Sequence, residues 1–203
     1  MFGMRNGHEH LRLLLLEKET GQQKLDHFDS NNSLTWQQRY FQNTQYYKGS
    51  NVVFLMIGGE GPENIRWVSN KDYPFVKWAE QFGAMMFALE HRFYGKSQPT
   101  PNQSVENLRY LSSRQALGDI AFFIDAMNKD HHLENPQWIT FGGSYSGALS
   151  LWARQRFPDL IAGAIGSSAP INAVVDFWGY LDVVENALRT HSHECASNVR
   201  KGF

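Results

Sequence analysis

Phe141-Gly142-Gly143-Ser144-Tyr145-Ser146-Gly147, or FGGSYSG, decides the fold. An apolar run ends at Phe141, and an apolar, helix-forming run follows until Pro158. The spacing predicts a strand over 138–141, a tight turn over 142–147 and a helix over 146–157 that Pro158 ends. A serine on a sharp strand-to-helix turn has the geometry of a nucleophile elbow. Small flanking residues let the backbone bend, and the bend lifts the hydroxyl clear of the sheet. The helix N-terminus then favours negative charge developing beside it. The Tyr145 N–H is placed to be one oxyanion donor. The G-x-S-x-G pattern is imperfect, because Ser146 fills its last place and Gly147 comes one residue later. On these residues alone a glycine-rich turn without chemistry remains the alternative.

Working outward, Val52–Ile57 is an unbroken apolar run, as expected of a strand buried on both faces. It runs into Gly58-Gly59-Glu60-Gly61-Pro62. A loop leaving an earlier strand is where the second oxyanion donor belongs, so the Gly58 or Gly59 N–H is expected to serve, with Gly59 preferred. Glu60 is a candidate contact for a substrate amine or guanidinium. Residues 74–82 read as a helix, with Pro74 in its first turn, Gly83 at its stop, and Phe75, Trp78, Ala79 and Phe82 on one face. Ala84–Leu89 reads as a second buried strand and residues 90–104 as a long loop. Ser112 and Gln115 match a capping box opening a helix that ends near Asn128. Ile161–Gly166 reads as another short buried strand, and Trp36–Phe41 as an edge strand. Strands alternating with helices imply an α/β fold with a mostly parallel sheet. From Val174 the apolar residues recur at helical spacing through Phe177, Leu181, Val184 and Leu188. The expected organisation is a poorly ordered leader over 1–20, a core over 21–173 and a helical segment over 174–203.

A serine nucleophile needs a base, usually a histidine held by a carboxylate. Asp159, Asp176, Asp182 and Glu185, followed by His191 and His193, satisfy the chain order for this architecture. The two histidines lie past a helix rather than a sheet strand, which argues against them. His91 reads as a loop hydrogen-bonder, and His131-His132 as helix-ending residues that suit the dipole. No histidine pair has metal spacing with a carboxylate, so neither metal nor cofactor is expected. The net charge of −1, with both signs mixed along 203 residues, gives no footprint for nucleic acid or an anionic membrane. No apolar run reaches the roughly 18 residues of a membrane span. Leu13–Leu16 is too short for a secretory signal. The single cysteine, Cys195, fits a reducing compartment, and equally a secreted protein whose second cysteine lies elsewhere. Asn31 and Asn102 head N-x-S sequons. Nothing in the sequence speaks to oligomeric state.

Several stretches occur together in order: LDHFD (25–29), TWQQRYF (35–41), GGEGP (58–62), EHRFYGKSQP (90–99), SSRQALGD (112–119), FGGSYSG (141–147) and SSAP (167–170). Together they resemble the serine peptidase family that includes thymus-specific serine protease, lysosomal Pro-Xaa carboxypeptidase and dipeptidyl peptidase II, from about residue 24 to 203. FDSNN and SSAPINAVVDF are most similar to the thymus-specific member. The resemblance implies an α/β-hydrolase core interrupted by a helical cap, hydrolysis of peptide substrates without a cofactor, and an extracellular or lysosomal location. It maps the nucleophile onto Ser144 and the oxyanion backbone onto Tyr145 and Gly58-Gly59. It makes EHRFYG a structural loop near the site, residues 174–203 the start of the cap, and Cys195 a disulfide cysteine. The family's catalytic Asp and His have no counterparts here, so the chain is expected to be an N-terminal fragment. Two functions follow as expectations: an exopeptidase of carboxypeptidase or dipeptidyl peptidase type, or an inactive truncated isoform that binds partners on the same fold. The chain by itself is expected to be aggregation-prone.

Overall fold

The structure, a computed structural model, describes residues 15–19 and 22–202. In chain order the strands are β1 (Leu15–Glu19), β2 (Gln23–Lys24), β3 (Thr35–Trp36), β4 (Arg39–Asn43), β5 (Val52–Ile57), β6 (Met85–Leu89), β7 (Gln137–Gly143) and β8 (Ile161–Ser167). The helices are α1 (Arg66–Ser69), α2 (Pro74–Phe82), α3 (Val105–Leu108), α4 (Ser113–Asp130), α5 (Ser144–Arg156), α6 (Gly179–His191) and α7 (His193–Lys201). Six strands form one sheet in the order β1-β4-β6-β5-β7-β8, and β2 pairs with β3 beside it. β5 runs parallel to β6 and β7, and β7 runs parallel to β8. β4 is antiparallel to β1 and β6. The chain separates into two compact units after Ile171.

The sheet has a core on each face because successive strand residues point opposite ways. Val53, Leu55 and Ile57 of β5, with Phe87 and Leu89 of β6, pack on Ile120, Phe123 and Ile124 of α4 and on Leu149 of α5. Phe54 and Met56, with Met86 and Ala88, pack on Val68 of α1 and on Phe75, Val76 and Ala79 of α2. Burial of each large side chain contributes about 1.5–3 kcal/mol. β5 is therefore buried on both faces, as its unbroken apolar run implies.

Several expectations need correction. Residues 15–19, assigned to the leader, form a strand paired with β4 from Leu15↔Asn43 to Glu19↔Arg39. The rest of that leader, residues 1–14 and 20, lies outside the described residues. The Trp36–Phe41 edge strand is two strands: β3 in the small sheet and β4, an interior strand between β1 and β6. α2 begins at Pro74 and stops at Gly83 (φ +64), but its buried face is Phe75, Val76 and Ala79, while Trp78 and Phe82 stay exposed. The capping box at α4 is half realised. Ser112 Oγ accepts from Gln115 N–H, whereas the Gln115 side chain turns to Asp26 Oδ1 and the His27 N–H. β8, expected to be buried, pairs on one side only among the described residues, and Ile165 is exposed there.

In the unit from Asn172, α6 begins only at Gly179, so Val174 and Phe177 precede it, and none of its residues is buried. Ser192 joins α6 to α7, its Oγ accepting from Cys195 N–H at 2.9 Å. Glu185 accepts from Arg189 and Arg200, and these bonds hold its carboxyl down at about 2.

Candidate active site

The parallel strands β5 and β7 are neighbours, so the loops leaving their C-terminal ends lie side by side. Ligands in open α/β sheets bind outside those ends. β7 passes into α5 with no residue between them, and the junction is Ser144. Ser144 is exposed and has φ +55, a left-handed conformation that a non-glycine residue adopts at a cost of about 1–3 kcal/mol. Strain of this kind persists where surrounding structure fixes it, and here two features do so. A Cβ at Gly142 would lie 2.2 Å from Ser146 O, so only glycine admits the close turn. Ser146 Oγ donates to Gly143 O at 2.9 Å and accepts from Gly143 N–H at 3.2 Å, clamping both sides of the bend. The serine that broke the expected glycine pattern is thus a structural clamp, which its small size alone did not signal.

The GGEGP loop packs directly on this elbow. The Cβ position of Gly59 lies 3.6 Å from Ser146 Cβ. The Gly58 N–H donates to Leu89 O at 2.8 Å, continuing the sheet. The Gly59 N–H has no partner among the described residues. Tyr145 is the second residue of α5, where a backbone N–H has no acceptor within the helix. Gly59, Glu60, Gly143, Ser146 and Ser167 help line a cleft of about 560 Å³, floored by Trp67, Trp78 and Phe141. Gly58, Gly59 and Glu60 thus line the cleft with Gly143 and Ser146, the chain neighbours of Ser144 and Tyr145, while Ser144 and Tyr145 are not themselves among its lining residues.

Asn31 and Asn102 are exposed. Cys195 is a free, half-buried thiol on α7, and His191 and His193 belong to that same unit. His132 lines a hollow with Ser50 and Asn51 at the start of β5, the opposite end of the sheet from Ser144. Among the described residues, none makes a hydrogen bond to Ser144 Oγ, and no group of three His, Cys, Asp or Glu is arranged to hold a metal. No helix among them is long and apolar enough to cross a membrane.

Three buried polar clusters lie around the site; His91 is the loop hydrogen-bonder expected, whereas the partners of all three escaped the sequence reading. His91 is fixed through both ring nitrogens. Nδ1 lies 2.7 Å from the Arg92 carbonyl oxygen, which can only accept, so Nδ1 carries the proton. Nε2 therefore accepts from Tyr145 Oη at 3.1 Å. Burial lowers the His91 pKa and pushes the Tyr145 phenol up to about 12, which keeps both neutral. Arg92, fully buried, meets Asp119 at 2.6 Å through Nε and again through Nη2. Glu90, also fully buried, accepts from Arg39, from the Glu63 and Lys96 N–H groups and from Ser97 Oγ. The sequence signal for these was a run of polar residues, EHR, immediately after a buried strand.

Glu63 lines the cleft, and its Oε2 lies 2.8 Å from the position a Cβ would take on Gly58. Burial first, and then the charge of Glu90, raise its pKa to about 7 against the Asn64 N–H and Arg39. Between pH 4.5 and 7 the folded state holds a proton here that the unfolded chain has released, so stability falls as pH rises through that window. The expected difference is on the order of 3 kcal/mol. Glu63→Gln should flatten that part of the stability profile and stabilise the protein at pH 7.5. Denaturant melts at pH 5 and 7.5 check this, and equal slopes with and without the carboxyl would refute it.

Comparison with known proteins gives the chain a family and a fold. Mouse thymus-specific serine protease is 44% identical over 169 residues, 82% of this chain and 33% of its own length. Human lysosomal Pro-X carboxypeptidase is 34% identical over 191 residues, 90% of this chain and 38% of its own. The chain spans about a third of the length of the curated relatives it matches. Among solved structures, a Pyrococcus furiosus esterase superposes with a TM-score of 0.56 over 98% of this chain and 64% of its own, at 13% identity. That likeness shows the α/β-hydrolase fold. Residues 23–203 match the serine carboxypeptidase S28 family, and the chain, with its strained serine between two glycine-rich strand exits, belongs to that family.

Proposed function

We propose that this chain carries the nucleophile and oxyanion hole of a serine-type exopeptidase. The observation that carries the reading is Ser144 itself: exposed, at φ +55, on a strand-to-helix junction against which the Gly58-Gly59 loop packs. In the reaction, Ser144 Oγ bonds to the peptide carbonyl carbon and gives its proton to a base. The Tyr145 and Gly59 N–H groups receive the developing oxyanion. The C–N bond then breaks, the base returns the proton to the leaving amine, and water hydrolyses the acyl-enzyme. Gly59 is preferred over Gly58 because the Gly58 N–H already bonds Leu89 O. Glu60, exposed at the cleft and near enough to act on His91 and Tyr145, would meet a positive group on the peptide. The matched stretch is only about a third of each relative's length, so the base and its carboxylate are sought in the remainder.

Exposed sequons at Asn31 and Asn102, and a relative named for the lysosome, support an extracellular or lysosomal setting. The competing reading is an inactive protein that binds partners on this fold. Fluorophosphonate labelling of the full-length protein separates the two. Phosphonylation found at Ser144 by peptide mass mapping supports the peptidase, and a folded protein that stays unlabelled supports the binding form.

A further inference from the structure

We infer that His91 is a positioning residue that joins the two halves of the oxyanion hole, an inference that rests on the peptidase reading of Ser144. The hole needs two N–H groups from different loops, Tyr145 on α5 and Gly59 after β5. Among the described residues no backbone hydrogen bond joins Gly58-Gly59 to Ser144-Tyr145, and their direct contact is the packing of Gly59 on Ser146. His91, on the loop after β6, touches both.

Its ring holds the first donor. Tyr145 Oη donates to Nε2 at 3.1 Å, with the two ring centres 5.5 Å apart. The tyrosine that carries the proposed first donor is thereby tied at the far end of its side chain. The imidazole cannot swing, because Nδ1–H is held by the Arg92 carbonyl. Arg92 is itself fixed by hydrogen bonds to Asp119, Lys24, Leu25 and Tyr110. The backbone of His91 meets the second loop. A Cβ on Gly58 would come within 3.2 Å of His91 N and 2.8 Å of Leu89 O, so the approach is possible only for glycine. Gly58 is the residue before the proposed second donor. To the β5–β7 pairing and the packing of Gly59 on Ser146, the histidine thus adds a tie between the two donors, by ring contact on one side and close backbone approach on the other. This also excludes His91 as the base for Ser144, since its only lone pair in the ring plane is occupied by Tyr145.

The test uses the full-length protein with Tyr145→Phe, His91→Ala and His91→Gln. The readouts are kcat and KM on a peptide substrate, Tm, and amide hydrogen exchange over residues 57–61 and 144–148. Tyr145→Phe removes one hydroxyl and keeps the ring. It is expected to lower kcat about tenfold, less than the loss of a whole oxyanion donor, with KM within about twofold. His91→Ala is expected to lower kcat at least as far and to speed exchange in both segments. His91→Gln, which keeps an acceptor, should recover part of the loss. Wild-type kcat in Tyr145→Phe, or exchange in His91→Ala that quickens in neither segment, overturns the inference. Should the wild-type protein resist fluorophosphonate, the peptidase reading fails. The exchange comparison still decides whether His91 joins the two loops.

Discussion

Ser144→Ala is expected to lower peptide turnover by the full-length protein by about six orders of magnitude, as loss of the nucleophile does in a well-studied serine protease. The loss should fall on kcat and leave KM within a few-fold, because the hydroxyl forms its decisive bond only on the way to the tetrahedral intermediate. The remaining rate would reflect binding and the oxyanion hole acting on water. The backbone offers a second, independent readout. Ser144 sits at φ +55, and alanine there keeps the strain while glycine relieves it. Ser144→Gly should therefore be more stable than wild type by about 1 kcal/mol, and as inactive as Ser144→Ala. A serine kept only for a turn would show the stability gain without the loss of turnover. A Ser144→Ala protein that retains most of its peptide turnover would sink the nucleophile assignment.

The strand–turn–helix around FGGSYSG was legible because its signals are local. Apolar runs give strands, small residues give the bend, and Pro158 ends the helix. The same locality explains what was missed. Ser146 reads as an imperfect glycine until its hydroxyl is seen to bond both N–H and C=O of Gly143. β4 reads as an edge strand because position in the sheet depends on β1, whose partner residues are twenty or more positions away. α2 was expected to bury Trp78 and Phe82, but helical periodicity fixes a stripe only to within a residue or two, and the sheet selects Val76 instead. The polar clusters were hidden most deeply. Arg92 and Asp119 are 27 residues apart, and nothing in their local sequence says that they meet.

That pair sets the largest expected effect on stability. Arg92 and Asp119 are 0% and 1% exposed, and the guanidinium uses all five of its donors. Two go to Asp119 side-on, and three go to the carbonyls of Lys24, Leu25 and Tyr110. Arg92→Met keeps the volume and removes the charge, which leaves Asp119 buried with only His27 beside it at 2.8 Å. Breaking one side of a buried ion pair costs about 3–5 kcal/mol, or roughly 10 °C or more in Tm for a chain of this size. Lysine should not rescue it, because a single ammonium cannot reach the carboxylate and three carbonyls in the fork geometry. Asp119→Leu added to Arg92→Met removes the stranded charge and should recover part of the loss. Recovery stays incomplete because the three carbonyls remain without donors. Denaturant unfolding of the two single variants and the double variant measures the coupling. An Arg92→Met protein within about 1 kcal/mol of wild type would show that water or rearrangement satisfies Asp119. The consequence also reaches the site: the Arg92 carbonyl holds His91 Nδ1–H, so loosening this segment should lower kcat even in protein that remains folded.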